Sequence, residues 1–322
     1  MPKILLTGGK GFIGTNLYTE LLRRGHDVYT CDIAHSDSGK HIRCDIGSFW
    51  QLARIFEEHR FDYVYHMAAE HGRCYGEDYY ESLWITNAIG TKNVLRLQER
   101  HGFRLVYFSS AGVYGDYGGL MREDITEKMP LRQINDNAIV KMAGEMQVMN
   151  SARMFGTESV RVRMGNTYGP HEYYSPYRGA IPVFVYRALM DRPYIVYTGH
   201  YRIFAYVEDT CRTLANIVDN FIPGEVYNIG GREDWLTDIK HVSDLVLSCL
   251  GKNDSLVTYK DAEPFVIKTK RMDFSKSRAH LMHAPKITLE MGIPKYIDWI
   301  KQKYLENKSG AVHTVEKILS PL

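Results

Sequence analysis

The 322-residue sequence predicts an α/β protein, a doubly wound parallel sheet followed by a smaller C-terminal α/β region. Three observations carry this expectation. Short apolar runs alternate with amphipathic helical segments through the first half, a glycine cluster sits at the first strand-to-helix junction, and the alternation loses its regularity after about residue 163.

Residues 3–7 form a short apolar run that ends in glycines, the pattern of a buried strand meeting a tight turn. Residues 12–24 place Ile13, Leu17 and Leu21 at helical spacing, and Gly25 ends that helix. Residues 26–32 read as the second strand. A helix over 48–59, a strand over 63–67, a helix over 85–101 and a strand over 105–108 repeat the unit, which implies helices on both faces of the sheet. In the second half, short strands at 194–197 and 225–229 mix with helices at 180–190, 207–220 and 238–250. A helix over 295–305 precedes residues 307–322, which read equally as a tail or as an oligomer arm.

Composition excludes several classes. With 44% hydrophobic and 24% charged residues the chain is not disordered, and a net charge of +2 leaves no basic excess for a nucleic acid. The longest apolar stretches, such as residues 181–186, fall far short of the roughly 18–20 residues of a bilayer span, so no membrane partner is expected. The first residues show no signal-peptide cleavage pattern, and the five cysteines include no C-x-x-C pair. The expectation is a cytoplasmic protein with reduced thiols and no metal site.

Gly8, Gly11 and Gly14 follow the first strand and open the first helix. Glycines so placed permit a tight turn, a close backbone approach to a pyrophosphate and close packing of helix on sheet, while the helix N-terminus offers free N–H groups to phosphate. Asp32 closes the second strand, where an acid binds the adenosine ribose hydroxyls and repels the extra phosphate of NADP. The pattern is that of a Rossmann-type domain holding NAD.

The three-residue glycine spacing, with Phe12-Ile13 before the last glycine, resembles the extended short-chain dehydrogenase/reductase superfamily, its nucleotide-sugar epimerases and dehydratases. The similarity continues. Asp45-Ile46 resembles the adenine-contacting segment, Ala68-Ala69-Glu70 the strand-end loop beside the nicotinamide, and Asn87 with Gly90-Thr91 the family's T-N-x-x-G-T. Ser109 to Gly115 is similar to S-S-x-x-V-Y-G, Asn166 to Pro170 to N-x-Y-G-P, and Arg202 with Tyr206 to Asp209, then Tyr227 to Gly231, complete it.

The resemblance implies an NAD-binding Rossmann domain over 1–165, with returning segments near 202–224, and a nucleotide-sugar-binding region over 166–322. The cofactor would be held by Gly8, Gly11, Phe12, Ile13, Gly14, Asp32, Asp45, Ile46, Ala68, Ala69, Asn87 and Lys141, and a nucleotide-diphosphate sugar by Glu70, Ser110, Asn166, Arg178 and Arg202. It also implies a homodimer formed through the helices near 85–101 and 137–153.

In this family a Tyr-x-x-x-Lys pair and a Ser or Thr perform the redox step through a 4-keto sugar, the lysine lowering the tyrosine's pKa. Ser110 and Lys141 are present, but the residue four before the lysine is Asn137, although 23 of the 322 residues are tyrosine. An amide does not titrate near neutral pH. Three readings stay open: loss of the base from an otherwise intact enzyme; transfer of its role to Tyr114, Glu70, His71, Tyr75, Tyr173 or His171; or NAD and nucleotide-sugar binding without turnover. Family members that eliminate water carry Asp-Glu at the positions of Ala111 and Gly112, and decarboxylating members a Glu at the second. These two positions favour epimerisation, whereas Ala68-Ala69-Glu70 resembles the 4,6-dehydratases.

Arg202 is expected on a phosphate, as a guanidinium suits bidentate contact. Asn166 is expected on sugar or phosphate, or stabilising its own turn. Tyr173 and Tyr174 serve equally as stacking rings or as a packed lid. His66 reads as a buried, satisfied histidine.

Overall fold

The computed structural model describes residues 1–70, 79–261 and 266–306. Seven parallel strands form the central sheet in the order Val226–Ile229, Ser159–Met164, Arg104–Ser110, Tyr63–His66, Lys3–Thr7, Asp27–Asp32 and His41–Arg43. Both faces are buried, as the apolar runs require. Ile4 and Leu6 pack with Leu17 and Leu21 of the first helix and Leu214 of Val207–Ala215, while Leu5 packs on the other face with Leu52, Leu95 and Val148. The doubly wound expectation holds.

The returning segment is longer than expected. Helix Val207–Ala215 packs on helix Phe12–Arg23, and the Tyr63 and Tyr65 hydroxyls donate to the Val218 and Leu214 carbonyls at 3.0 Å each. Strand Val226–Ile229, beyond residue 224, then pairs with Ser159–Met164. Strand Tyr201–Tyr206 instead belongs to a three-stranded sheet with Asn166–Tyr168 and Leu236–Asp238. Around that small sheet, helices Ala180–Leu189, Ile239–Leu250 and Leu289–Lys301 enclose a separate core. The last of these starts well before residue 295 and contains Pro294.

The helix expected over 85–101 is three pieces: Tyr80–Trp84, a π-turn Ile85–Ile89, and Gly90–His101. A Cβ at Gly90 would lie 2.8 Å from the Ile46 side chain, so the widened turn meets a close helix contact. Strand His41–Arg43 has too short an apolar pattern to be read from sequence. Among the described residues no helix is long and apolar enough to cross a membrane, and no group of three or more His, Cys, Asp or Glu could hold a metal.

Candidate active site

Strands Lys3–Thr7, Tyr63–His66 and Arg104–Ser110 run side by side, with Thr7 paired to His66 and His66 to Tyr107, so the loops at their C-terminal ends share one crevice. This is where an open α/β sheet binds ligands.

The glycine turn is shaped by close approach. Gly8 has φ of +70°, and a Cβ there would lie 2.7 Å from the Ala68 nitrogen; one on Gly14 would collide with the Gly8 carbonyl. Among the described residues, the Gly8 oxygen at 3.2 Å is the one atom within 4 Å of a Cβ built on Gly11. Gly11 caps helix Phe12–Arg23 with no side-chain hydrogen bond and no acid follows in the first turn, so the N-terminal N–H groups suit a pyrophosphate. The Phe12 side chain is buried in the core and Ile13 packs against it, leaving their main chain to face a ligand. Asp32 is oriented by the Lys10 N–H at 2.9 Å on one oxygen and the Ala34 N–H at 3.1 Å on the other. That leaves lone pairs for ribose hydroxyls.

Asp45 is exposed and accepts the Gly47 N–H at 2.8 Å, whereas the Ile46 side chain is buried and its carbonyl accepts the Asn93 amide at 2.9 Å. Ala68 donates its N–H to Thr7 Oγ1, and the half-buried Ala69 and Glu70 follow. Asn87 is buried and clamps this loop: it accepts the Glu70 N–H at 2.8 Å and donates to the Glu70 carbonyl at 3.0 Å. Its amide thus positions the loop. His66 bridges Thr7 at 2.9 Å and Thr91 at 3.0 Å, and burial pushes its pKa down to about 3. It is the satisfied histidine expected.

Ser110 ends strand Arg104–Ser110, and helix Asp136–Phe155, which carries Asn137 and Lys141 one turn apart, packs on that strand. Ser110 Oγ accepts the Gly112 N–H at 3.0 Å and caps the turn Ala111–Tyr114, which packs against Ala138. Asn135 caps helix Asp136–Phe155 by accepting the Ala138 N–H at 2.9 Å. Half-buried Asn137 has no side-chain hydrogen bond among the described residues. One turn on, Lys141 Nζ donates to the Phe108 carbonyl at 2.8 Å. The side chain retains some exposure, yet the protein packed around it desolvates the ammonium and lowers its pKa to about 8.

Glu145, a further turn along, was not anticipated, although its spacing from residues 137 and 141 puts all three on one helix face. It accepts from Ser109 Oγ at 2.5 Å and from two Arg163 nitrogens at 2.8 Å. Burial alone would raise its carboxyl, but the Arg163 hydrogen bonds and charge hold it below the usual range. Tyr114, expected beside the sugar, is instead buried. Its hydroxyl donates to Asn228 at 2.8 Å and accepts from Arg163 at 3.1 Å, and burial raises its pKa to about 12.

The second region supplies the other wall. Asn166 is exposed, with its amide donating to the Ile203 carbonyl at 3.3 Å. Arg202 is only 7% exposed, and its guanidinium donates to the Tyr201, Lys268 and Ile267 carbonyls at 2.7–2.8 Å. Three carbonyl acceptors hold it as an anchor for the 267–268 segment. Tyr174 stacks on Tyr186 at 3.9 Å, and Tyr173 and His171 pack on Trp299 at 5.0 and 5.5 Å. These rings form a packed lid. Within it Glu172 is buried, and burial raises its carboxyl to about 8 against the pull of half-buried Arg178. His71, Tyr75 and the segment 307–322 lie outside the described residues.

A glycine turn on seven parallel strands, an acid closing the second strand, and a second lobe across the crevice define a Rossmann-type dinucleotide-binding protein with an appended ligand region. The chain belongs to the NAD dependent epimerase/dehydratase family, whose profile matches residues 4–230. It is 28% identical to dTDP-glucose 4,6-dehydratase of Neisseria meningitidis serogroup B, over 96% of this chain and 95% of that protein. It is 27% identical to UDP-N-acetyl-alpha-D-glucosaminuronate decarboxylase of Bacillus cytotoxicus, over 93% and 98%. The solved UDP-glucose 4-epimerase of Thermus thermophilus, a complex with NAD, matches at a TM-score of 0.82 and 26% identity, covering 93% of this chain and 99% of that one. NAD is the cofactor, and the residues at the glycine turn fit it.

Proposed function

We propose that the protein oxidises C4 of a nucleotide-diphosphate sugar with bound NAD and returns the hydride within the same turnover, giving a 4-epimerase. The observation that carries the choice of outcome is the turn after Ser110. Eliminating water needs an acid to protonate the departing hydroxyl and a base for the C5 proton. Ala111 and Gly112 provide neither, and Tyr114 is turned away into its bonds with Asn228 and Arg163. Epimerisation requires only that the keto sugar turn over and take the hydride back on its other face.

In this reading Ser110 hydrogen-bonds the reacting hydroxyl, Asn137 lies beside it, and Glu70, Asn166 and Arg178 border the sugar nucleotide. Asp32 favours NAD over NADP. The protein works in the cytoplasm as a homodimer: Trp84, Ile85, Ile89, Ile139, Met146 and Met149 are exposed on neighbouring helices and offer an apolar face for a second copy. Light scattering should give twice the 37.1 kDa chain mass.

The test is absorbance in the reduced-nicotinamide band after adding UDP-, dTDP-, GDP- and CDP-sugars, with product mass analysis. An unchanged mass with altered stereochemistry is expected. Loss of water or carbon dioxide sinks the epimerase assignment, and failure of every nucleotide sugar to bind sinks the substrate class. Asn137 favours a second reading, binding without turnover, which predicts sugar-nucleotide binding with no absorbance change.

A further inference from the structure

We propose that Lys141 is itself the proton acceptor in the alcohol oxidation, a role that rests on the C4-oxidation reading above. Its position supports this first. Lys141 lies one helical turn from Asn137 and its Nζ is anchored on the Phe108 carbonyl, two residues before Ser110, so the amine lies against the C-terminal part of the strand that ends in the serine, on the helix that carries the amide. A lysine that only lowers a neighbour's pKa needs a titratable neighbour, and an amide at 137 is not one.

Three features suit the amine to exchange a proton. It has no carboxylate partner among the described residues, because Glu145 on the same helix face is taken by Arg163 and Ser109. Its anchor is a carbonyl, which accepts from an ammonium and from a neutral amine alike, so deprotonation breaks no hydrogen bond. The surrounding groups do not compete: His66 is held between two threonines, the Tyr107 ring lies 5.7 Å from Nζ with its own hydroxyl pKa raised by burial, and Tyr114 is bound to Asn228 and Arg163. Burial then leaves the amine titrating at about 8. A lowering in this direction brings the amine closer to the match between pKa and working pH that favours a general base.

The step balances with the bound cofactor as oxidant. The neutral amine takes the C4 hydroxyl proton and becomes an ammonium as the C4–H bond breaks, its electron pair passing as hydride to the nicotinamide and the carbonyl forming at C4. Return of the hydride to the other face is accompanied by return of the proton from the ammonium. Asn137 acts as a positioning residue that orients the hydroxyl without competing for its proton.

Two measurements test this. Reductive ¹³C-methylation, with the Lys141 signal assigned by its absence in Lys141→Arg, should give an NMR titration near 8; a value near the ordinary 10.5 overturns the role whatever the substrate. In single-turnover reduction of bound NAD by the reactive sugar nucleotide, measured with NAD saturating for each variant, Lys141→Arg should slow the oxidation by about 10²–10⁴-fold and lose the acid limb of the pH profile. Lys141→Ala should regain rate with added primary amines in proportion to their basicity. Asn137→Tyr in the Lys141→Arg background should restore oxidation with a different limb. An unchanged rate and limb in Lys141→Arg, or abolition by Glu70→Gln alone, overturns the proposal. If no sugar nucleotide reduces NAD in the unaltered protein, the C4-oxidation reading falls and takes this role with it.

Discussion

The glycine turn is held by main chain: the Gly8 and Gly9 N–H groups donate to the Cys31 carbonyl at 2.8 and 3.2 Å, and Gly11 donates to Gly8 at 3.1 Å. Across the crevice, the segment after Asn166–Tyr168 is held by rings, with Tyr174 on Tyr186 and Tyr173 on Trp299. Main-chain contacts at van der Waals range admit only glycine at some positions, whereas many ring combinations fill a lid. The glycine wall is therefore tightly constrained and the aromatic wall is freer to vary. That contrast is what a family with one cofactor and many sugar nucleotides requires.

Substitutions can break or sharpen the contrast. The largest effect is expected at the seam, where Glu145 couples Arg163 and Ser109: Glu145→Gln leaves buried guanidinium charge uncompensated and should cost about 3–5 kcal/mol in urea unfolding. Because this carboxyl is held below its ordinary pKa of 4.5, its stabilisation is present above that value and is lost as pH falls through the lower folded pKa. If the loss is no greater than about 0.5 kcal/mol, the network is not structural.

On the cofactor wall, Gly14→Ala drives a Cβ into the Gly8 carbonyl and should cost about 1–3 kcal/mol along with measurable NAD binding. Gly179→Ala, at a helix start on the other wall with no atom of the described residues within 4 Å of the new Cβ, should change stability by less than about 0.5 kcal/mol. Equal effects from the two would erase the contrast.

Lys141→Met removes a desolvated cation and should raise the Tm by a few degrees at pH 7. Both folded and unfolded chains are protonated there, so the burial cost is fully present in the wild type. Between pH 8 and 10.5 the folded protein releases the proton first, wild-type stability rises and the gain shrinks. A Tm that falls at pH 7 refutes this account. Tyr173→Ala removes ring contacts with Trp299 and Tyr304 and should cost about 0.5–1.5 kcal/mol for each pair lost, with NAD affinity unchanged by isothermal calorimetry.

The cofactor half was legible because its signals are local. Residues 3–7, the glycines and Asp32 fall within one strand-turn-helix-strand unit, and each has a steric or electrostatic demand that few residue types meet. The substrate half depends on partners far along the chain. Tyr114 sits in a loop motif, yet its hydroxyl is taken by Asn228, 114 residues away. Arg202 is anchored by carbonyls 65 and 66 residues on. No local pattern reports such contacts. Glu145 was within reach, since the 137, 141 and 145 spacing shares one helix face, but a buried acid reads from sequence like a solvated one.

Strand Val226–Ile229 has a practical bearing on dissecting the protein. It covers Ser159–Met164, whose residues Ser159 to Arg163 are buried. A fragment ending at residue 165 would expose that strand's unpaired N–H and C=O groups and uncover the Tyr63 and Tyr65 hydroxyls, an open sheet edge prone to self-association. Excising a minimal cofactor-binding unit therefore means circular permutation or retention of the chain through at least residue 229, not simple truncation.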